Sequence, residues 1–419
     1  MRPSVVERGR TGEQESVSES IAVRRRALSA GTGFWVVAVA FLAVMAFSTV
    51  PTPLYSIYQE RDGFPTVVIT VIFAAYAVGV MLSLYLVGHI SDWAGRRRMI
   101  VLGILAELLA AGVFLAWQAV PALLIARVVS GIGVGALTAS ATASLTELRT
   151  ATRPEGAVAT ASTVATLVNV GGLALGPLLG GILAEYAPLP LTVPYLVFVV
   201  LLVLAGAAVL LVPETIDSSR GRPPYRPQRI SVPPASRNLF VAAGAGAFAA
   251  FAIFGLFTSL APSFLAGQLH ETSRLVAGLV SFGVFAAAAV TQVFLARLPL
   301  RRQVILGVVL MVGGLSAATL GVLLTSLAAF IVGSIVAGAG VGLVFRSSLG
   351  VAGSVAEPAR RGEVLAAMFL IAYGGLVVPV LAIGVSLAFF PATATLVGFS
   401  AVILVLVLVS GVRMARAVP

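Results

Sequence analysis

The chain has 419 residues, of which 59% are apolar and only 10% charged, and its mean hydropathy is +1.06. Those values exclude an ordinary soluble domain, in which about a quarter of the residues carry charge. Absence of cysteine removes disulfides, thiolate nucleophiles and cysteine metal sites, and the formal net charge of +11 asks where the basic residues sit.

Residues 1–33 form a polar segment, expected to be a disordered tail without a cleavable signal. Twelve apolar runs then follow at about 34–57, 67–87, 99–118, 121–145, 155–184, 194–212, 239–265, 275–297, 303–324, 327–350, 362–388 and 392–412. Each is close to the roughly 20 residues a helix needs to cross a bilayer. The pattern predicts an all-α integral membrane protein of twelve spans.

All 27 basic residues are arginine. They gather in the amino tail, in every even-to-odd connection and in the carboxyl tail, whereas the opposite connections hold only Arg61 and Arg274. That is the positive-inside bias, which places both termini in the cytoplasm. The charge is therefore a topology signal with inner-leaflet anionic lipid as its partner, not a nucleic-acid footprint. Exclusive use of arginine points to a GC-rich bacterial genome, hence to a bacterial inner membrane. His89 and His270 fall on opposite sides, so neither a metal cluster nor a Ser-His-Asp set can be assembled. No cofactor is expected, and an enzyme is not.

The first run ends in Pro51-Thr52-Pro53-Leu54-Tyr55-Ser56-Ile57-Tyr58 and contains no acid. Between the second and third lies Gly88-His89-Ile90-Ser91-Asp92-Trp93-Ala94-Gly95-Arg96-Arg97-Arg98. Glycines allow the chain to reverse there, and the arginines hold it on the inner side. The third run carries Glu107, the one carboxylate deep in any predicted span. It stands about 14 Å past the entry, near the bilayer centre, on a stripe with Gly103 and Ala111 that faces a close neighbour. The fourth carries Arg127 about 10 Å from the outer surface, where a charge requires a cavity or a partner. Spans 3 and 4 form a hairpin that offsets the two side chains by about 8 Å, so either they form a fixed ion pair or Glu107 carries a proton.

Span 5 reads Gly172-Leu-Ala-Leu-Gly176-Pro177-Leu-Leu-Gly180-Gly181, with a proline kink and a flat glycine face. Residues 214–237 break the hydrophobic rhythm and separate six runs from six. The halves echo each other: Gly131, Gly133 and Gly135 in span 4 recur as Gly338, Gly340 and Gly342 in span 10. Span 7 presents Phe248, Phe251, Phe254 and Phe257 at intervals of three, a stripe that faces either a flat apolar solute or lipid. Asn169, Gln292 and Tyr373 are further polar groups within spans, and Arg346 lies close enough to the inner surface to snorkel.

The order G-x-x-S-D-x-x-G-R-R-R strongly resembles the loop between helices 2 and 3 of the major facilitator superfamily of transporters. The Val212-Pro213-Glu214-Thr215 ending and the R-x-x-x-G-x-G-x-G of span 4 resemble the same family, although Ser130 stands where glutamine is usual. The span 5 motif matches that of its 12-helix drug:proton antiporters. The resemblance implies two pseudo-symmetric six-helix bundles, residues 34–213 and 238–413, a cytoplasmic linker at 214–237 and a short tail at 414–419.

It implies a gate of Gly88, Asp92, Gly95, Arg96 and Glu147, with Asp92 meeting the start of helix 11; a solvated loop charge is the alternative for Asp92. It assigns Arg127, here with Glu107, to proton coupling, and Gly172, Gly176, Pro177, Gly180 and Gly181 to a flexing helix; a purely structural kink is the alternative, since Pro379 in span 11 stands in a comparable place. Asn169, Phe251, Phe254, Gln292 and Tyr373 are the candidate substrate contacts. The expected function is proton-coupled export of a small amphipathic or apolar compound, a drug or a metabolite, by a monomer. Symport or uniport of a metabolite and a non-transporting membrane sensor are the alternatives. The acid that many such antiporters carry in helix 1 is absent.

Overall fold

The computed structural model describes residues 28–87, 90–216, 227–230, 232, 236–357 and 360–417, with the side chain of Asp92 outside that description. Of the tail 1–33 expected to be disordered, residues 1–27 lie outside the described residues, as do Gly88 and His89, whereas residues 30–33 form the first turn of a helix.

Among the described residues, twelve helices are long and apolar enough to span a membrane. They are α1 (Ala30–Asp62), α2 (Thr66–Leu86), α3 (Arg96–Ala116), α4 (Val120–Thr152), α5 (Ala157–Tyr186), α6 (Val193–Leu210), α7 (Arg237–Gln268), α8 (Arg274–Phe294), α9 (Leu300–Leu323), α10 (Leu327–Val355), α11 (Arg361–Ser386) and α12 (Ala392–Ala417). With an even number of spans, residue 28, residues 213–216 and residue 417 share one surface, here termed the terminal face; the other is the far face. Helices α4, α5 and α10 run past the apolar stretches read from sequence, ending at Thr152, Tyr186 and Val355.

Leu102, Leu105 and Leu109 on α3 are more than half exposed (55%, 53% and 59%), as are Leu204 on α6 and Val402 on α12 (62% and 66%). In water such faces would drive association, whereas in a bilayer they are the solvated surface. One apolar core is built from α1 to α6 around Phe41, Phe47, Phe114, Tyr195 and Phe198. A second centres on α7 to α12 but draws in Phe73 and Ala77 from α2 and Ala174 from α5.

The glycine echo between the halves has one packing meaning in both. A Cβ on Gly133 would stand 2.9 Å from the carbonyl oxygen of Gly103 on α3, and one on Gly340 would stand 2.7 Å from that of Gly307 on α9. Likewise Gly135 lies against Ser83 on α2 and Gly342 against Thr291 on α8. Spacing by two residues thus turns alternate glycines to two different neighbours, and backbones meet at distances no side chain permits.

Two spans are irregular at matching places. In α1 the helix yields to a 3-10 turn over Thr52–Leu54 after Pro51. In α7 a π-helical turn covers Leu256–Leu260, just before Pro262. A π-turn pairs each N–H with the carbonyl five residues back. Proline has no N–H to give, and the Phe257 carbonyl instead accepts from Ser281 of α8 at 3.1 Å.

Candidate functional site

The loop between α2 and α3 is held by a network the sequence disclosed only in part. Gly95 adopts φ +103, a conformation glycine enters without strain. A Cβ there would also stand 2.6 Å from Oε2 of Glu214. The Glu214 carboxylate accepts from the backbone N–H of Arg96 at 2.9 Å and of Thr215 at 3.1 Å. An acid therefore sits at the amino end of α3, where the helix dipole favours it. Arg96 reaches Glu147 of α4 (Nε to Oε1, 3.2 Å) and donates to Ser91 at 2.7 Å. The Thr215 hydroxyl completes the set by donating to the other oxygen of Glu147. Arg97 donates to the carbonyls of Val212 (3.1 Å) and Leu210 (3.3 Å), tying α3 to the end of α6. Gly95, Arg96 and Glu147 thus come together as expected. Glu214 and Thr215 join them, although the sequence marked these two only as a family-like ending.

At mid-depth a second polar cluster is closed off from solvent. Glu107 is 0% exposed and Arg127 2% exposed. Among the described residues no ion pair joins them. Oε1 of Glu107 accepts from the Ser130 hydroxyl at 3.1 Å, and Oε2 has no partner. Arg127 donates to the Ser48 carbonyl of α1 at 2.5 Å and lies over the Tyr76 ring of α2, 4.2 Å from its centroid. Its Nε also lacks a partner, as does the buried Tyr55 hydroxyl. The residue that replaces the usual glutamine, Ser130, is the one that holds the acid. Ser48, Tyr55 and Tyr76 escaped the sequence reading, because hydroxyls and carbonyls on apolar spans carry no pattern of their own.

The α5 motif faces two ways. Gly172 and Gly176 lie against Met45 and Ala46 of α1, and Gly180 against Val50 and Pro53. Gly181 instead meets α8 of the other bundle: its Cβ would stand 2.6 Å from the Arg274 carbonyl oxygen and 3.3 Å from the Cα of Gly278. Pro177 lies against Gly278 as well. A proline inside a helix frees the carbonyl four residues earlier; here that is Leu173, and the Thr49 hydroxyl of α1 approaches it at 3.2 Å.

The inter-bundle approaches of α5 with α8, and of Thr70 on α2 with Gly384 on α11, lie in the far half. Polar contacts reinforce them. Arg274 at the start of α8 lies 3.6 Å from Glu60 of α1, and its backbone N–H donates to Glu185 of α5 at 2.8 Å. These contacts seal the two bundles together at the far face.

In the second bundle, aromatic rings meet below that seal. Phe251 packs on Phe345 of α10 (centroids 4.9 Å), Tyr373 of α11 (5.3 Å) and Phe254 (5.9 Å). Phe254 stacks on Phe285 of α8 at 4.4 Å. The α7 stripe therefore turns inward at these positions and not toward lipid. Asn169 is half-buried on α5 and Gln292 buried on α8, and no described contact brings either to the aromatic group. Arg346 is half-buried on α10.

The Major Facilitator Superfamily sequence pattern matches residues 36–379. A search of curated proteins finds no match. Among solved structures, the human organic anion transporter MFSD10 (TETRAN) superposes with a TM-score of 0.65 at 16% identity, over 92% of this chain and 99% of that one. A bacterial homolog of the human lysosomal transporter Spinster, in an inward-facing and unoccupied conformation, gives 0.60 at 15% identity over 93% and 95%. A mutant of the nucleoside transporter NupG gives 0.69 at 11% identity over 91% and 99%. At such identities the structures bear on the fold alone, while the matched sequence pattern takes in most of the spans. The chain belongs to the major facilitator superfamily and is a multi-pass membrane transporter, not an enzyme.

Proposed function

We propose that this transporter exports a small amphipathic or apolar compound in exchange for protons, by alternating access, as a monomer in a bacterial inner membrane with both termini cytoplasmic. The bundles 34–213 and 238–413 are the moving bodies and 214–237 the linker. The observation that carries the reading is the α5 motif at the bundle interface, where Pro177 and Gly181 lie against Gly278 with no side chain between the helices. Small residues at such a seam let two helices pivot without unpacking a core. On the positive-inside orientation, the sealed far face is the outer one and the conformation faces inward.

Glu107 supplies the proton site. It is wholly buried with one oxygen unpartnered, so its charge state is bound to the state of the surrounding cluster. Arg127 is held by a carbonyl and a ring, leaving the acid free to exchange its proton without first breaking an ion pair. The gate at the terminal face is Arg96 with Glu147, supported by Gly95, together with Asp92 and Gly88. The aromatic group around Phe251, Phe254 and Tyr373 supports an apolar or flat solute, and Asn169 on α5 and Gln292 on α8 are the further candidate contacts.

The test is proton movement by the purified protein in liposomes offered a panel of lipophilic cations and neutral aromatic compounds. Substrate-evoked proton release is expected in wild type and its loss in Glu107→Gln. Solute flux indifferent to a proton gradient would overturn antiport. That outcome would favour the second reading, facilitated transport of a metabolite, which the absence of an acid from the apolar run 34–57 of α1 supports.

A further inference from the structure

At the terminal face a cavity of about 650 Å3 opens between the first turns of α1 and the last turns of α4. Its walls include Thr32, Phe34 and Trp35 from α1 and Arg149, Thr152 and Arg153 from α4. No acid lines it. The volume is that of a small-molecule site, within the roughly 300–1,000 Å3 usual for one.

Arg149 and Arg153 differ from Arg96 and Arg97 on this face. Arg96 is matched by Glu147, and Arg97 by the carbonyls at the end of α6. Among the described residues, Arg149 and Arg153 have no carboxylate partner, and Nε of Arg149 is buried without any hydrogen bond. The Arg149 guanidinium carbon lies 5.8 Å from the Phe34 ring centroid. The Thr152 hydroxyl donates back to its own helix and presents no competing positive group. Trp35 stands 59% exposed at the rim.

Two guanidinium groups offer fixed forks of donors that match a tetrahedral anion. Beside them, a tryptophan and a phenylalanine form an apolar wall. The amino end of α1, capped by Ser29, adds a partial positive charge from the same side. We propose that this cavity binds a phosphoryl group carried on an apolar body, with Arg149 and Arg153 on the phosphate and Trp35 along the body. Two sources share that chemistry: an anionic phospholipid of the surrounding leaflet, and a free organic phosphate arriving from solution. The site is independent of the direction and coupling of transport.

The test uses the full chain in neutral detergent and reads binding by native mass spectrometry and by thermal shift. Probes are phosphatidylglycerol, phosphatidylcholine and glycerol 1-phosphate. Phosphatidylglycerol is expected to bind wild type at least fivefold more tightly than the Arg149→Gln/Arg153→Gln variant, and more tightly than phosphatidylcholine binds. Glycerol 1-phosphate that binds alone and displaces the lipid would identify the free phosphate as the source; failure to displace it at millimolar concentration would identify the lipid. Should the double variant not fold, Arg153→Gln and Trp35→Ala, both at exposed positions, are expected to weaken binding at least twofold each.

Arg416→Gln, elsewhere on the same face, is expected to leave binding unchanged. An equal loss in Arg416→Gln would show diffuse charge attraction and overturn the site. Equal binding of phosphatidylcholine and phosphatidylglycerol, unaltered binding in the Gln variants, or no binding of any probe would overturn it as well.

Discussion

Arg274, at the start of α8, reaches across the bundle interface to Glu60 at 3.6 Å while its own N–H is held by Glu185 at 2.8 Å. One residue thus fastens the second bundle to both α1 and α5 of the first. The side chains are partly solvated, at 34% and 68% exposure, which limits the ion pair to about 0.2–1 kcal/mol. A bias of that size is small for folding but sufficient to shift an opening equilibrium up to about fivefold.

Because the chain has no cysteine, a single introduced thiol reports that equilibrium. Labelling of Ala277→Cys, buried beside the seal at 5% exposure, is expected to accelerate about two- to fivefold when Arg274→Gln is added. Glu60→Gln should give a similar increase, since both substitutions remove the same ion pair and leave the Glu185 contact to the Arg274 backbone N–H in place. Unchanged labelling in both would mean that the seal rests on helix packing alone.

The Thr49 hydroxyl and Pro177 form a coupled pair although they belong to different helices. Thr49→Val is expected to destabilise by about 1 kcal/mol, the value of one buried hydrogen bond, because the Leu173 carbonyl then has no donor. In a Pro177→Ala background the helix regains its own N–H and the Thr49→Val cost should fall toward zero. A double-mutant cycle on unfolding midpoints would read a coupling on the order of 1 kcal/mol. Additive effects would show that the hydroxyl bonds only to Met45 or Ala46 of its own helix.

Gly95 and Gly112 make a matched contrast. Gly95→Ala combines a left-handed conformation with a collision on Glu214, and is expected to cost at least about 1–3 kcal/mol and to reduce folded yield. Gly112 meets no atom within 4 Å of an added Cβ, so Gly112→Ala should be neutral or stabilise by about 0.5–1 kcal/mol. Glu214→Ala in the Gly95→Ala background should recover part of the loss by removing the collision but not the backbone strain. Equal behaviour of the two glycines in a thermal-stability assay would contradict the geometry.

Arg127 and Glu107 should separate stability from coupling. Arg127→Gln removes the donor to Ser48 and the cation over Tyr76, and is expected to lower stability by about 1.5–3 kcal/mol. Glu107→Gln preserves shape and the acceptor for Ser130, so its stability should stay within about 0.5 kcal/mol of wild type. Comparable destabilisation by both substitutions would reveal a direct pairing between the two side chains.

The number of spans, their grouping into sixes and the family were legible in the sequence. Bilayer thickness demands long apolar runs, and the loop between α2 and α3 and the α5 motif hold their residue types at fixed spacing. The burial of Glu107 was legible too, because a lone carboxylate among apolar residues must point into the protein. Partner choice was not. Helix periodicity cannot say that Ser130 rather than Arg127 holds Glu107, since both share α4 and only the crossing of α3 decides which one the acid meets. Nor can it show that Gly181 faces another bundle while Gly180, one residue away, faces its own. Thr49 at the Leu173 carbonyl, Glu214 at the head of α3 and Arg274 between Glu60 and Glu185 all join residues far apart in the chain. Apolar patterning sets which face of a helix is buried, but in a bilayer lipid is as apolar as any neighbouring helix. Which partner each polar atom finds is therefore decided by the tertiary packing of the twelve helices.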